Sequence, residues 1–261
     1  MGAATRASTT RAADALAGVA RPEPGLGAEL LSAARAVASS HQLTAVLADP
    51  GVPEEQRRGL VLRVFADLGP QTRQLLGQLV SGRWSTADDL VGGIEELGFR
   101  ALATGADGEG LERELFTVQR TVSSDGALEL ALGNQASPAA ARSALVDAVL
   151  VDAKPATREI VRHAVQLPRG RKPVEALQHA QSVVADALGL SVATVQVARP
   201  LTDAQADALS ARLQSAYGRK ISVNQVIDPS LLGGVRVTVG DEVIDGTVRA
   251  RLDDLRQRLA G

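Results

Sequence analysis

Apolar and polar residues alternate near the C-terminal end of the chain. Valines alternate with Arg236 and Thr238 over residues 235–239, a period of two that is typical of a strand with one buried face. Gly240-Asp241 and Asp245-Gly246 follow, and each pair places a glycine beside an acid, as tight turns do. The apolar residues that then recur at helical spacing are Val248, Leu252, Leu255 and Leu259. The pattern predicts a β-hairpin followed by an amphipathic terminal helix.

The chain also contains an internal repeat. A shift of 85 positions aligns residues 25–80 with residues 110–165 without a gap and gives 19 identical pairs in 56 positions. A composition this rich in Ala, Leu and Val gives on the order of 8% identity by chance. Prolines that suit the first turn of a helix recur in both copies, as Pro53, Pro70, Pro138 and Pro155. Each copy is therefore predicted to be a set of short antiparallel helices.

The character of the chain changes near residue 190. Alternating valines up to Val197 indicate a strand, Thr202 and Gln205 have the spacing of a capping box, and a second strand begins at Ile221. Between the two copies, residues 105–110 contain three glycines and two acids, which is typical of a linker.

These features predict a mainly α protein with a small α+β C-terminal domain. The predicted parts are a first helical copy at 1–104, a linker at 105–110, a second copy at 111–189 and the mixed domain at 190–261. A glycine-rich linker of this kind could also act as a hinge between the copies.

The C-terminal segment resembles a known family. Its turn and acidic positions are Asp228, Pro229, Gly233, Gly234, Gly240, Asp241, Asp245 and Gly246. In one ungapped run with the valine strand and the arginine-flanked helix, they closely resemble the C-terminal signature of the delta subunit of proton-translocating ATP synthase. The mitochondrial counterpart is the oligomycin-sensitivity-conferring protein. Ordinary members begin with one six-helix bundle, so the duplicated helices resemble the long actinobacterial form.

The resemblance implies a non-catalytic stator subunit, which couples rotation to ATP synthesis. The helical region would bind N-terminal segments of the alpha subunits of the catalytic head, and the C-terminal domain would bind the b subunits of the peripheral stalk. The apolar stripe from Val248 to Leu259 would supply part of the stalk-binding surface. The protein would lie at the cytoplasmic face of the cell membrane, held there only through the complex.

Charge and composition favour protein partners. A net charge of −2, from 28 basic and 30 acidic residues, provides no broad electrostatic footprint for nucleic acid. The absence of cysteine excludes disulfides and cysteine-ligated metals. No apolar run approaches the roughly 18 residues of a membrane span.

No catalytic, cofactor or metal site is predicted. Residues 105–110 lack the preceding strand and the Lys-Ser/Thr pair of a phosphate loop. The three histidines, His41, His163 and His179, lack ligand spacing and are predicted to be surface or interfacial residues.

The charged clusters are predicted to be solvated. Acidic pairs such as Asp88-Asp89 and Glu95-Glu96 are typical of exposed helix faces. The basic cluster of Arg169, Arg171 and Lys172 favours a solvated loop or a contact with an acidic protein partner.

Two other classes of function remain open. A helical RNA-binding antitermination factor could share a six-helix bundle, although it would need a basic or aromatic face. An enzyme would need a catalytic constellation of side chains, which the sequence does not display.

Overall fold

The structure is a computed structural model that describes residues 2–218, 220–239 and 242–248. The chain divides into two compact units, Met1–Val184 and Ala185–Gly261. The helices of the first unit, the last of which continues into the second, are α1 (Ala3–Ala17), α2 (Leu26–Ser39), α3 (His41–Ala48), α4 (Glu54–Val64), α5 (Pro70–Ser81), α6 (Ala87–Thr104), α7 (Leu111–Ser124), α8 (Gly126–Gly133), α9 (Ala139–Val149), α10 (Pro155–Gln166) and α11 (Pro173–Ala187).

The two copies fold alike. A shift of 85 positions carries the bounds of α2, α3, α4 and α5 onto those of α7, α8, α9 and α10 without any difference. The first residue of each repeat, Gly25 or Gly110, is the N-cap of α2 or α7 and has a left-handed φ, of 88° and 72° respectively. The predicted duplication of the helical region is therefore confirmed.

A half-buried glutamate closes each copy in the same way. The Glu29 carboxylate accepts hydrogen bonds from the Gly69 backbone N at 2.9 Å and the Thr72 hydroxyl at 2.5 Å. In the second copy, Glu114 accepts from the Thr157 hydroxyl. Both threonines are fully buried. Since the first N–H groups of a helix have no partner within it, these carboxylates satisfy and orient the starts of α5 and α10.

The repeated prolines occupy two different positions. Pro70 and Pro155 are the first residues of α5 and α10, as predicted. Pro53 and Pro138 instead lie one residue before α4 and α9, as N-caps with extended backbone. An N-cap contributes its carbonyl and not its N–H to the helix, so proline is accepted there as readily as in the first turn.

Helix α6 belongs to both copies. Shifting α1 by 85 places it on residues 88–102, inside α6, and shifting α6 by the same amount places it over α11. Its Leu90, Ile94 and Leu97 join the core of the first copy, while Phe99 lies edge-on to His163 of the second. No residue from Leu90 to Ala103 is exposed, so this part of α6 is covered on all of its sides. The finer division into 1–104, 105–110, 111–189 and 190–261 stays a prediction.

Residues 105–110 form a tight turn. The backbone N of Gly108 donates to the Gly105 carbonyl, and the N of Leu111 donates to the Gly108 carbonyl, both at 3.1 Å. Gly108 is buried, and a Cβ there would lie 1.7 Å from the carbonyl oxygen of Ala103. A segment with the composition of a linker therefore contains a buried residue and a close backbone contact.

The second unit is a mixed sheet with one helix over it. Its elements are β1 (Ser191–Val197), α12 (Asp203–Tyr217), β2 (Ile221–Ile227), β3 (Val235–Val239) and β4 (Glu242–Asp245). The strand order is β2-β1-β3-β4, with β1 parallel to β2 and antiparallel to β3, and β3 antiparallel to β4. Val195 and Val237 pack against Leu213 of α12.

The sequence signals for the start and the end of α12 are confirmed in the structure. The capping box of Thr202 and Gln205 starts α12, and Gly218 ends it with a φ of 66°. A mainly α fold with a small α+β unit and a β-hairpin is confirmed, whereas the predicted terminal helix falls on residues outside the described ranges. Within those ranges no helix is long and apolar enough to cross a bilayer.

Candidate functional site

The C-terminal signature begins with a capped turn after β2. The Asp228 carboxylate accepts hydrogen bonds from the hydroxyl of Ser230 at 2.6 Å and from its backbone N at 2.9 Å. These bonds, the one from the hydroxyl first, lower the pKa of Asp228. Pro229 lies between the two residues, where its fixed φ suits a turn. The backbone N of Asp228 also donates to the Val197 carbonyl at 2.9 Å, which ties the turn to the sheet.

Gly233 and Gly234 bring two parts of the signature into contact. Both have positive φ, of 142° and 80°, and the Gly233 carbonyl accepts from the backbone N of Val248 at 3.0 Å. A Cβ on Gly234 would lie 2.4 Å from the Gly246 carbonyl oxygen and 2.8 Å from the Cα of Thr247. Position 234 therefore needs glycine both for its backbone conformation and for space.

Asp245 fixes the end of the hairpin. One carboxylate oxygen accepts from the backbone N of Thr247 at 3.0 Å, and the other accepts from two nitrogens of Arg236 at 3.1 and 3.0 Å. The hydrogen bonds from Thr247, followed by those from Arg236, lower the pKa of Asp245 to about 2. Gly246 then donates its N–H to the Val235 carbonyl at 2.9 Å. The acid is thus a turn-stabilising residue and stays ionised.

The predicted stalk-binding stripe is described only at its first residue. Val248 is 40% exposed. Gly240 and Asp241 of the signature, and Leu252, Leu255 and Leu259 of the stripe, lie outside the described residues. Three further large apolar side chains in the same segment, which the sequence analysis did not single out, are Leu232, Val243 and Ile244, with exposures of 78%, 58% and 44%.

The exposure of these residues follows from the sheet. Ile244 lies opposite Val237 in β3, so it extends the apolar face under α12 to the outer strand, whereas Val243 lies opposite Thr238 on the other face. Adjacent apolar residues in a strand always point to opposite faces, a signal that was available in the sequence. Leu232, Val243, Ile244 and Val248 are called the signature apolar residues below.

A buried charge cluster lies in the helical unit around Glu95 of α6, whose side chain is 1% exposed. One carboxylate oxygen is 3.1 Å from Nε2 of His163. The other is 3.1 Å from a guanidinium nitrogen of Arg171, 3.4 Å from one of Arg169 and 3.5 Å from Nε2 of His179. Burial by itself raises the pKa of Glu95, but the hydrogen bonds from His163 and His179 and the charge of Arg169 outweigh it and hold that pKa well below its usual range.

His163 links this cluster to the first copy. It is fully buried, and its Nδ1 lies 3.2 Å from a guanidinium nitrogen of Arg35 on α2. Arg35 can only donate, so Nδ1 accepts and Nε2 carries the proton that is donated to Glu95. Both ring nitrogens are therefore occupied. Among the described residues, no group of His, Asp or Glu could hold a metal ion.

Arg169 reaches the cluster from a strained loop. Its φ of 50° is left-handed, which costs roughly 1 kcal/mol for a residue with a Cβ. Its guanidinium donates to the Asp88 carboxylate at 2.7 Å. It lies over Gly92, where a Cβ would come within 2.4 Å of it. The ion pairs in this position offset the backbone strain.

Several charged residues are thus placed differently from the predictions. Glu95 is buried instead of solvated, and His163, predicted to be a surface or interfacial residue, is fully buried. Arg169 and Arg171 both pair with Glu95 of the same chain, and Arg169 also pairs with Asp88. The cause is long-range, since His163 is 68 positions from Glu95 and no local pattern can report their contact.

The lowered pKa of Glu95 predicts a specific pH dependence. A carboxylate with a depressed folded-state pKa stabilises the fold above its unfolded pKa of about 4.3 and loses that contribution as the pH falls towards the folded value. Between about pH 4.5 and 3, the free energy of unfolding should fall more steeply in the native protein than in Glu95→Gln, by up to about 1.4 kcal/mol per pH unit. Urea unfolding at a series of pH values measures both slopes. Equal slopes would contradict the assignment of Glu95 as a buried anion.

Comparisons with known proteins agree with the signature. Residues 100–259 match the sequence model described as ATP synthase delta (OSCP) subunit. The protein named ATP synthase subunit delta from Leifsonia xyli is 43% identical, with 100% of both chains covered. Its namesake from Streptomyces avermitilis is 40% identical over 84% of this chain and 82% of its own.

A chain of the cryo-EM structure of the Toxoplasma gondii mitochondrial ATP synthase hexamer covers 62% of this chain and 93% of its own. At 20% identity and a TM-score of 0.38 it is too distant to bear on the details of the fold. The family match and the full-length relatives give the same answer. The chain belongs to the ATP synthase delta (OSCP) subunit family.

Proposed function

We propose that this chain is a non-catalytic stator subunit of the proton-translocating ATP synthase, which joins the catalytic head to the peripheral stalk so that rotation is coupled to ATP synthesis. The observation that carries the proposal is 43% identity along the full length of a protein named ATP synthase subunit delta. The C-terminal signature supports it, because its turns are held by specific hydrogen bonds of Asp228 and Asp245.

The two units have separate partners in this proposal. The helical unit binds N-terminal segments of the alpha subunits of the head, and the C-terminal unit binds the b subunits of the stalk through the signature apolar residues and the stripe that Val248 begins. Exposed apolar side chains of this size support a docking role. The family match from residue 100 to 259 includes the second helical copy and the C-terminal unit.

A stator must transmit torque without changing shape. The Glu95 cluster would support this role because it holds the two copies of the helical unit together. It joins α2, α6, α10 and the loop of Arg169 through buried, charge-assisted hydrogen bonds. Such bonds are short-range and directional, so they resist rotation of one copy against the other. The turn at residues 105–110 is closed by backbone hydrogen bonds, which disfavours the hinge alternative.

The chain makes and breaks no bond in this proposal, since its task is affinity for two partners. It lies at the cytoplasmic face of the cell membrane as a peripheral component, held by the rest of the complex. The RNA-binding alternative has no support, because the full-length relatives are named as ATP synthase subunits and the net charge of −2 provides no attraction for phosphate.

Binding to separately purified head and stalk tests the proposal. The full-length chain is expected to form a binary complex with each and a ternary complex with both. A variant that lacks residues from Thr247 onward should keep its affinity for the head and lose the stalk, because the stripe and part of the signature are removed. A truncated chain that retains full stalk affinity, or one that loses only the head, would show that the two surfaces are wrongly assigned.

A further inference from the structure

Helix α1 packs on the first copy mainly through polar and small side chains. Its buried residues are Thr5, Ser8, Ala12 and Leu16. The large apolar residues that the next helix, α2, buries are Leu26, Leu30, Leu31 and Val37. Burial of apolar surface is the main source of packing energy, whereas an intramolecular hydrogen bond largely replaces a bond to water. Since Leu16 is the only large apolar residue buried within residues 3–17, α1 is attached more weakly than α2.

Two hydroxyls of α1 bind the loop between α5 and α6 and the first turn of α6. Oγ1 of Thr5 lies 3.1 Å from a carboxylate oxygen of Asp89 and accepts from the Ser85 backbone N at 3.1 Å. The Ser8 hydroxyl donates to the Arg83 carbonyl at 2.8 Å and accepts from the Arg83 backbone N at 3.1 Å. Hydrogen bonds are directional, and water can replace them when α1 leaves. They therefore set the register of α1 on the loop but add little to the strength of its attachment.

The ends of α1 lack the groups that usually stabilise a helix. Its N-cap is Gly2, which has no side chain to accept a hydrogen bond from the first turn. The first turn contains no acid and the last turn no base, although such charges stabilise helix ends. An isolated helix of 15 residues is marginal in water even with a favourable sequence. We therefore expect α1 to lose its helical structure once it leaves the first copy.

The segment that follows α1 is fixed by Gln71 of α5. The side-chain oxygen of Gln71 accepts from the Glu23 backbone N at 2.8 Å, and its amide nitrogen donates to the Arg21 carbonyl at 2.9 Å. Residues 18–20, which lie between α1 and these two contacts, are exposed or half-buried. Movement of α1 can therefore be taken up by residues 18–20 without displacing α2.

We propose that residues 2–18 form a detachable strap, which opens while the rest of the first copy stays folded. The opening ends at the Gln71 contacts, so α2 keeps its place in the core. Release of the strap also frees the α5–α6 loop from Thr5 and Ser8. The first copy can therefore change between a closed and an open state without unfolding. This inference does not rest on the stator assignment, since it follows from the contacts of α1.

Native-state hydrogen exchange of the full-length chain tests the proposal. The backbone amides of α1 should exchange at least about 100-fold faster than those of α2, because local opening costs less free energy than global unfolding. Low concentrations of urea should accelerate the exchange of α2 much more than that of α1, since the opening of the strap exposes little surface. Equal protection of the two helices with an equal dependence on urea would overturn the proposal.

Engineered cysteines provide a matched pair of probes, because the chain has no native cysteine. Ala12 of α1 and Ala34 of α2 are both buried, with exposures of 4% and 0%. A maleimide should label Ala12→Cys at least about 100-fold faster than Ala34→Cys. Addition of Thr5→Val should accelerate labelling of Ala12→Cys about tenfold, since the docked strap then leaves the Ser85 N–H without its acceptor. Labelling of Ala34→Cys should not change. If Thr5→Val accelerates both reactions or neither, the polar contacts of α1 do not control a local opening and the proposal fails.

Discussion

Replacing Glu95 with alanine is expected to lower the free energy of unfolding of the helical unit by about 3–5 kcal/mol. The substitution removes the one carboxylate that Arg169 and Arg171 share in the interior and deprives the buried His163 of its acceptor. Arg169 keeps its pair with Asp88 at 2.7 Å, but Arg171 loses the carboxylate it binds in the interior, and a partly buried charge or donor left without its partner is costly. Denaturant unfolding followed by the fluorescence of Trp84, the only tryptophan, measures the loss in this unit.

Glu54→Ala is the matched control for that experiment. Glu54 pairs with Arg58 at 3.6 Å on the surface of α4, where the two side chains are 52% and 54% exposed. Removal of such a pair should cost less than about 0.5 kcal/mol. Similar losses for Glu54→Ala and Glu95→Ala would show that burial adds nothing to the value of the cluster.

The second large effect is expected at Gly234. Gly234→Ala should destabilise the C-terminal unit by about 3 kcal/mol or more, because a positive φ of 80° is combined with a Cβ that would meet backbone atoms of Gly246 and Thr247. Neither neighbour is a side chain that can rotate away, so the contact between the two parts of the signature must open. Hydrogen exchange of the backbone amides of β1 and β3 measures the loss of stability in this unit. The affinity for the peripheral stalk should fall about 100-fold as a consequence.

Gly218→Ala separates the cost of a positive φ from the cost of the steric contact at position 234. Gly218 also has a positive φ, of 66°, but a Cβ there would meet nothing within 4 Å. Its substitution should therefore cost only the conformational strain, about 1 kcal/mol, and leave stalk affinity unchanged. If both variants lose the same stability, the close approach at Gly234 plays no part.

Local rules in the sequence were sufficient for much of the fold. The repeat fixed the equivalence of helices, Pro70 and Pro155 marked the starts of α5 and α10, and the Thr202 capping box marked the start of α12. These signals act through the backbone of a few consecutive residues. These signals can be recognised in the sequence because helix capping, proline geometry and apolar periodicity do not depend on distant contacts.

The shared helix was missed although a signal for it existed. Within this helix Leu90, Val91, Gly92 and Gly93 form a full turn without a polar side chain, although charged residues lie on either side of that turn. A full turn without a polar side chain indicates burial on more than one side. The prediction of two separate copies treated α6 as the end of one bundle only. In the structure its two sides pack against different copies.

The Glu95 cluster could not have been predicted in the same way. A glutamate beside another glutamate in a helix is usually solvated, and its burial depends on His163 and Arg169, 68 and 74 positions away. Arg169 also requires a left-handed φ at a residue other than glycine, which no propensity rule anticipates. Contacts of this range are set by tertiary packing.

The most direct test of the stator proposal is the coupling of ATP hydrolysis to proton transport in vesicles. ATP synthase is reconstituted without this chain, and the full-length chain is then added back. The proposal predicts that ATP-driven proton uptake is absent before the addition and restored after it, while the chain alone hydrolyses no ATP. Proton uptake that is the same with and without the chain, or ATP turnover by the pure chain, would contradict the proposal.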